Sequence, residues 1–435
     1  MRKLICILLL FLLADLLNAQ QAQSIDTVPI SLSDAEDQFM KNNYGLLAQK
    51  YNVDANKALI RQANLINNPN IYYEQSIHNP YSGKLFPTAK GTLGDASTQG
   101  EFIIQYNWLF SVAGKRSKTV SVARAQAEVA QYQFDDLIRT LLYALRSDFY
   151  KLNYGLQSLR LFDDEIASLK TITESFETQY AKGNISLREI TRMRALLFSL
   201  QNDRLQLVTD LRETLSEFSG LLNNAKSVWY KPVFDDGEIN SKYSKKDALN
   251  LTDLQTQALA NRPDLKQTQA ELKVAEAEVR LQNATGVPDI MLQGVFDRNG
   301  SYVQNYNAVA IGIPIAIFNR NQGNRAYAVQ IKNSADQQLL QKQVNVQNDV
   351  FASYQKIIDA EKMNSALSTS FSADFASLLK GAESNYAKKN ISLLEFVDLF
   401  ESYKDNMVQY NNVRALRLSA FEELNFNVGK DVFKQ

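Results

Sequence analysis

Residues Tyr180 to Glu189 read YAKGNISLRE, and Tyr386 to Glu395 read YAKKNISLLE, identical at eight of ten positions across an offset of 206. A local motif that returns so far along one chain marks a duplication, so the two halves are read by superposition. Gly183 and Asn184, with Asn390 in the second copy, favour the left-handed conformation that closes a helix. Ser186 and Ser392 stand three residues before Glu189 and Glu395, the spacing of a capping box that opens the next helix. Each motif is therefore expected to be the tip of a tight helical hairpin, over about 180–189 and 386–398.

Both tips are approached by long stretches without proline, from Thr88 to Lys231 and from Ile315 to the end of the chain. The first predicts one helix over 115–182, about 100 Å long at 1.5 Å per residue. The second predicts a slightly shorter twin over 324–388. Return helices follow over about 187–222 and 393–427. Globular domains rarely build helices of such length.

Further from the tips, Leu32 to Ile71 aligns without a gap onto Leu251 to Ile290 at an offset of 219. Leu46/Leu265, Pro69/Pro288 and Ile71/Ile290 are among the identities. Leu265, Leu272 and Val279 recur every seven residues, as do Ala270, Ala277 and Ala284, which describes closely packed coiled-coil helices. Asn261-Arg262-Pro263-Asp264 breaks one helix and starts the next. Pro69 and Pro288 end the helices, and strands are expected over about 71–77, 101–110, 290–297 and 306–315. Val309, Ile311, Ile313 and Ile315 alternate with Ala308, Ala310, Gly312 and Pro314; Phe102, Ile104, Tyr106 and Trp108 alternate with Glu101, Ile103, Gln105 and Asn107. The repeats then span 20–222 and 251–435, joined by a connector over 223–250.

Residues 1–19 read as a signal peptide: Arg2 and Lys3, an apolar run interrupted by Asp15, then Asn18-Ala19-Gln20 as the cleavage region. Cleavage there removes Cys6, the single cysteine. Charges balance at 47 basic against 47 acidic residues, so nothing points to nucleic acid. No stretch has the roughly 18 apolar residues of a membrane helix, so membrane entry would require a β-barrel. His78 is the single histidine and falls in a loop, and neither a phosphate-cradling glycine loop nor a metal-ligand cluster is visible. The reading is of a non-enzyme with no catalytic residues, no resident metal and no cofactor. Four strands cannot close a barrel. Either they form an ordinary soluble sheet, or several chains pool their strands.

Duplicated halves ordered helix, strand, strand, very long helix, tip and return helix resemble the TolC-type outer-membrane efflux proteins. Both tips fit that family's Tyr-x-x-Gly-x-x-Ser pattern, except that Lys389 replaces the glycine in the second copy. Residues 313–324, IPIAIFNRNQGN, resemble the strand-to-helix junction of its heavy-metal cation-efflux (CzcC-like) branch. The resemblance implies a mainly α fold with a small β part: a trimeric outer-membrane β-barrel continued by a periplasmic α-helical coiled-coil tunnel. It implies a passive exit duct of a tripartite efflux system, in contact with outer-membrane lipid, a periplasmic adaptor (membrane fusion) protein and an inner-membrane pump of RND type. Metal cations are the expected cargo, with multidrug efflux and type I secretion as rivals. A secreted coiled-coil scaffold or adhesin is the rival from another class.

By the same resemblance, Glu395 and Asp398 fall where the family carries the acidic residues of its pore entrance, with Glu189 as the first-half counterpart. Threefold repetition would make rings that concentrate cations. Tyr180, Tyr386 and Arg188 are candidates for the hydrogen bonds that hold the entrance shut. Lys182, Gly183, Asn184, Ser186, Lys388, Lys389, Asn390 and Ser392 are candidates for adaptor contact. Glu189 and Glu395 also have a purely local reading as capping residues, and Asp398 as a solvated helix face.

Overall fold

The computed structural model describes residues 26–87, 95, 100–224, 228–235, 237, 242–243, 249–299, 303–366, 371–388 and 390–433. The expected signal peptide and Lys389 lie outside the described residues. The first half comprises β1 (Asp26–Ile30), α1 (Leu32–Asn42), α2 (Tyr44–Ala63), β2 (Asn70–Gln75), β3 (Phe102–Phe110), α3 (Lys115–Ala181) and α4 (Leu187–Leu221). After β4 (Val228–Pro232), the second half comprises α5 (Leu251–Asn261), α6 (Pro263–Thr285), β5 (Ile290–Asn299), β6 (Gln304–Gly312), α7 (Gln322–Ala366), α8 (Phe371–Ala387) and α9 (Leu393–Val428).

Each helix break has a local cause. Asn43 caps α2, its Oδ1 accepting from the Leu46 amide at 3.0 Å, and Pro263 occupies the first turn of α6. α3 runs uninterrupted for 67 residues. Its expected twin is described as α7 and α8, with 367–370 between them outside the described residues. On α6 the alanine series faces inward: Ala270, Ala277 and Ala284 are buried, whereas Leu272 and Val279 are half-buried. Small side chains on the inner seam let the α6 backbone approach α3 and α7, against both of which it packs.

Four strand ends depart from expectation: β5 runs on to Asn299 rather than residue 297, and β6 starts at Gln304 rather than 306. β2 stops at Gln75 rather than residue 77. β6 stops at Gly312, paired with Met291, so Ile313 and Ile315 lie beyond the sheet. Pro314 has no N–H to continue the ladder. The connector also holds a strand, β4, which pairs in parallel with β1.

The main core gathers around these two strands, where Phe149, Tyr150, Phe218 and Phe421 are fully buried. Tyr243 stacks on Phe421 with ring centroids 4.3 Å apart and donates its hydroxyl to Glu422 at 2.6 Å. A second apolar cluster lies toward the tips, with Phe162, Leu169, Ile190, Met193, Phe396 and Phe400. The other sheet has the order β2-β3-β5-β6 with every neighbour antiparallel.

Candidate functional site

The tips are built by helix-end chemistry. At the end of α3, Gly183 adopts φ +74°, and the amides of Gly183 and Asn184 donate to the carbonyls of Tyr180 and Gln179, each at 2.9 Å. This pair of bonds is a Schellman motif. At the second tip the Asn390 amide donates to the Asn385 carbonyl at 2.8 Å, the counterpart of the Asn184–Gln179 bond.

Both return helices then open on complete capping boxes. Glu189 Oε2 accepts from the Ser186 amide and Glu395 Oε2 from the Ser392 amide, each at 2.7 Å. These backbone bonds hold both carboxyls below the usual carboxylate range, so each tip carries a fixed negative charge at neutral pH. Oε1 takes no part in either box, so capping leaves one oxygen of each carboxylate for other contacts.

Asp398, Arg188, Lys182, Asn184, Lys388 and Asn390 are exposed, as are Ser186 and Ser392. The two tyrosines differ. Tyr180 is exposed, while the Tyr386 ring is stacked between Phe176 and Phe396, with centroids at 5.5 and 4.9 Å. Burial, with the Glu189 charge nearby, pushes the Tyr386 hydroxyl up to about 12. The asymmetry is written in the repeat: an offset of 206 carries Phe176 onto Ala382 and Phe396 back onto Ile190, so Tyr180 has no aromatic partners in these places. Tyr386 is thus first a packing residue, with its hydroxyl left for hydrogen bonding. Exposed Leu187 and Leu394 add an apolar element at the tips, on the first turns of the return helices.

At the other end of the molecule the four-stranded sheet separates two chemistries. Residues paired across strands share a face. One face carries Ile71, Ile104, Tyr106, Leu292, Val309 and Ile311, all exposed large apolar side chains. The opposite face is mixed, with Asn70, Glu74, Gln105, Asn107, Gln293 and Asp297 set among apolar side chains such as Tyr72, Leu109, Met291 and Tyr306. Glu74 and Asp297 flank Ile103 on one rung of that face, and Gln293 donates to Gln105 at 3.0 Å. Among the described residues no helix is long and apolar enough to cross a membrane, and no group of His, Cys, Asp and Glu is arranged to hold a metal ion.

Two constellations escaped the sequence reading. Asp264 accepts from Arg262 at 2.6 and 3.0 Å, from the Leu265 amide at 3.0 Å, and lies 2.7 Å from Lys342 and 3.4 Å from Arg139. Arg262 continues to Asp349 at 2.8 Å. The Arg-Pro-Asp break is therefore the hub of an ion cluster joining α3, α6 and α7. Nearer the tips, Glu165 of α3 is 2 % exposed, and neither of its carboxylate oxygens has a hydrogen-bond partner among the described residues. Phe162, Glu165, Leu169, Thr173 and Phe176 form one buried stripe at helical spacing, a signal already present in the sequence.

Residues 37–224 and 254–430 match the family described as outer membrane efflux protein. The cobalt-zinc-cadmium resistance protein CzcC of Cupriavidus metallidurans is 22 % identical over 321 residues, covering 73 % of this chain and 70 % of that protein. Among solved structures, CusC superposes with a TM-score of 0.72 at 17 % identity, covering 92 % of both chains. The Campylobacter jejuni CmeC outer membrane channel gives a TM-score of 0.73 at 14 % identity, covering 92 % of this chain and 86 % of that one.

Proposed function

The chain belongs to the outer membrane efflux protein family, and from that premise we propose that three copies form the exit duct of a tripartite cation-efflux system. It is an outer membrane efflux channel. The observation that carries the trimer is the sheet, one face built of exposed large apolar side chains and the other carrying Glu74, Asp297, Gln105 and Gln293 among apolar residues, with β2 and β6 as open edges. Open edges are not tolerated in lipid. β2 and β6 run in opposite directions, so β6 of one copy pairs antiparallel with β2 of the next, and three copies close twelve strands. The face of Ile104 and Val309 then meets lipid, and the face of Glu74 and Asp297 lines the lumen.

Below the barrel, the long helices continue as a tunnel through the periplasm, and the tips form its entrance. Lys182, Asn184, Leu187, Lys388, Asn390 and Leu394 offer exposed contacts to a periplasmic adaptor, through which an inner-membrane pump delivers cargo. Passage is passive. The acidic lumen rung and the fixed charges of Glu189 and Glu395 with exposed Asp398 favour cations, in keeping with the relative named for cobalt, zinc and cadmium resistance. Tripling turns each carboxylate into a ring that raises local cation concentration.

Single-channel recording in planar bilayers tests this reading. The wild type is expected to prefer cations, and Glu395→Ala combined with Asp398→Ala to lower that preference, by up to about tenfold at low ionic strength. Unchanged conductance and selectivity in the double variant would remove these residues from the entrance.

A further inference from the structure

The loop over residues 313–321 joins β6 to α7 and is firmly held. Asn321, at φ +61°, donates from Nδ2 to the Gln282 carbonyl at 2.8 Å and to its side-chain oxygen at 2.9 Å. The Arg320 amide donates to Gln322 Oε1 at 2.8 Å. The Arg320 carbonyl lies so close to Gly286 that a Cβ there would stand 2.7 Å from it. Yet this pinned loop turns its large apolar side chains outward: Ile315 is 83 % exposed and Phe318 88 %, with Ile313 and Ile317 also exposed. An open groove of about 470 Å³ separates loop residues 314–319 from Thr285, Gly286 and Pro288.

What covers this surface follows from its neighbours. Ile313 and Ile315 continue, past the last paired residue, the row of Val309 and Ile311 on the sheet's apolar face. Leu65 and Ile66, which the offset of 219 places opposite Ala284 and Thr285 rather than opposite the loop, are exposed between α2 and β2 in the first half, and the segment is tied to β3 by Trp108 Nε1 donating to the Asn67 carbonyl at 2.9 Å. Basic side chains come next. Asp289 at this level is taken by Lys115 at 2.8 Å, whereas exposed Arg116 and Arg320 have no carboxylate partner among the described residues. Along the chain the order is apolar strand, apolar loop, guanidinium. That is the order met on leaving a hydrocarbon layer through its headgroups.

We infer that this junction is a phospholipid-binding collar, with Ile315, Ile317 and Phe318 among the acyl chains of the periplasmic leaflet and Arg320 and Arg116 on the lipid phosphates. The inference rests on the barrel reading above. It goes beyond that reading by giving the helical part of the chain its own lipid site, beneath the strands.

Spin labels on Phe318→Cys and, separately, Val309→Cys test it in the full chain, reconstituted in vesicles of phosphatidylglycerol and phosphatidylethanolamine. Cys6, the single native cysteine, falls in the segment read as signal peptide. Collision with oxygen reports lipid, and collision with a water-soluble nickel chelate reports solvent. Both labels are expected to be open to oxygen and closed to nickel, with the residue 318 label nearer the headgroups. If the 318 label meets nickel freely while the 309 label stays in lipid, the collar is wrong and the barrel stands. If both meet nickel, the barrel reading itself fails. A 318 label shielded from both reagents means that a second copy covers the loop, which also overturns the lipid site. Retention of phosphatidylglycerol in native mass spectrometry should fall about fivefold in Arg320→Gln and recover in Arg320→Lys. Equal retention in all three proteins would remove the phosphate contact.

Discussion

Replacing Asp264 with alanine is expected to destabilise the detergent-solubilised protein by about 3–5 kcal/mol, because the change leaves buried cations without their shared anion. Arg262, Arg139 and Lys342 converge on this one carboxylate, and Arg262 is almost fully buried. Burial by itself would raise the Asp264 carboxyl. The hydrogen bond from Arg262, with the charges of Arg139 and Lys342, outweighs burial and holds the carboxyl well below its ordinary range. A depressed folded-state value contributes stability that is present above the unfolded value, about 3.9, and is lost as pH falls below it. The gap between wild type and Asp264→Ala should therefore be full at neutral pH and narrow in acid. Denaturant unfolding at pH 7 and pH 3 measures both. A loss under about 1 kcal/mol at pH 7, the size of an exposed pair, would show that the cluster holds nothing together.

Glu165→Gln is expected to act in the opposite direction. Burial pushes the Glu165 carboxyl up to about 8, against an opposing pull from Lys404 and with added repulsion from Asp405 and Asp164. Lys404 is itself held by Asp203 at 2.8 Å and Asp405 at 3.2 Å, so it is not free to neutralise Glu165. The unfolded carboxyl titrates near 4.3. Between these values the folded chain binds the proton more tightly, so wild-type stability falls as pH rises from about 4.3 to about 8 and is level above that. The glutamine variant lacks this loss. It should match the wild type near pH 4 and exceed it by about 5 kcal/mol well above pH 8. A pH-independent difference would mean that the Glu165 carboxyl titrates alike in the folded and unfolded chain, and a wild-type stability that rises with pH would mean that it is charged and paired.

The repeated tips were legible because their chemistry is local: Ser186 with Glu189, and Ser392 with Glu395, need only helix-end geometry. The long α3 was legible through the absence of proline, and the sheet through its alternation, since Tyr106 and Val309 do share its apolar face with Ile71 and Ile311. What escaped was long-range. β4 has five residues, ends in Pro232, and pairs with a β1 that contains Pro29 some 200 positions earlier. Both prolines argue against strands when the partner is unseen. The Asp264 hub draws Arg139 and Lys342 from distant helices, and only its Arg262-Pro263-Asp264 break shows in the sequence. Tyr386 looked equivalent to Tyr180 because the motif around each is nearly the same. Their environments differ through Phe176 and Phe396, whose repeat counterparts are Ala382 and Ile190.

The central claim is that one chain holds only part of a barrel and three chains complete it. The mass of the protein extracted from outer membranes, corrected for bound detergent, tests this most directly. The trimeric channel predicts a mass near three chains of 49.2 kDa, less whatever is removed of the segment read as signal peptide, that survives only in detergent. A detergent-free soluble monomer or dimer would contradict it, and would leave the four strands as the edge-exposed sheet of a secreted coiled-coil protein.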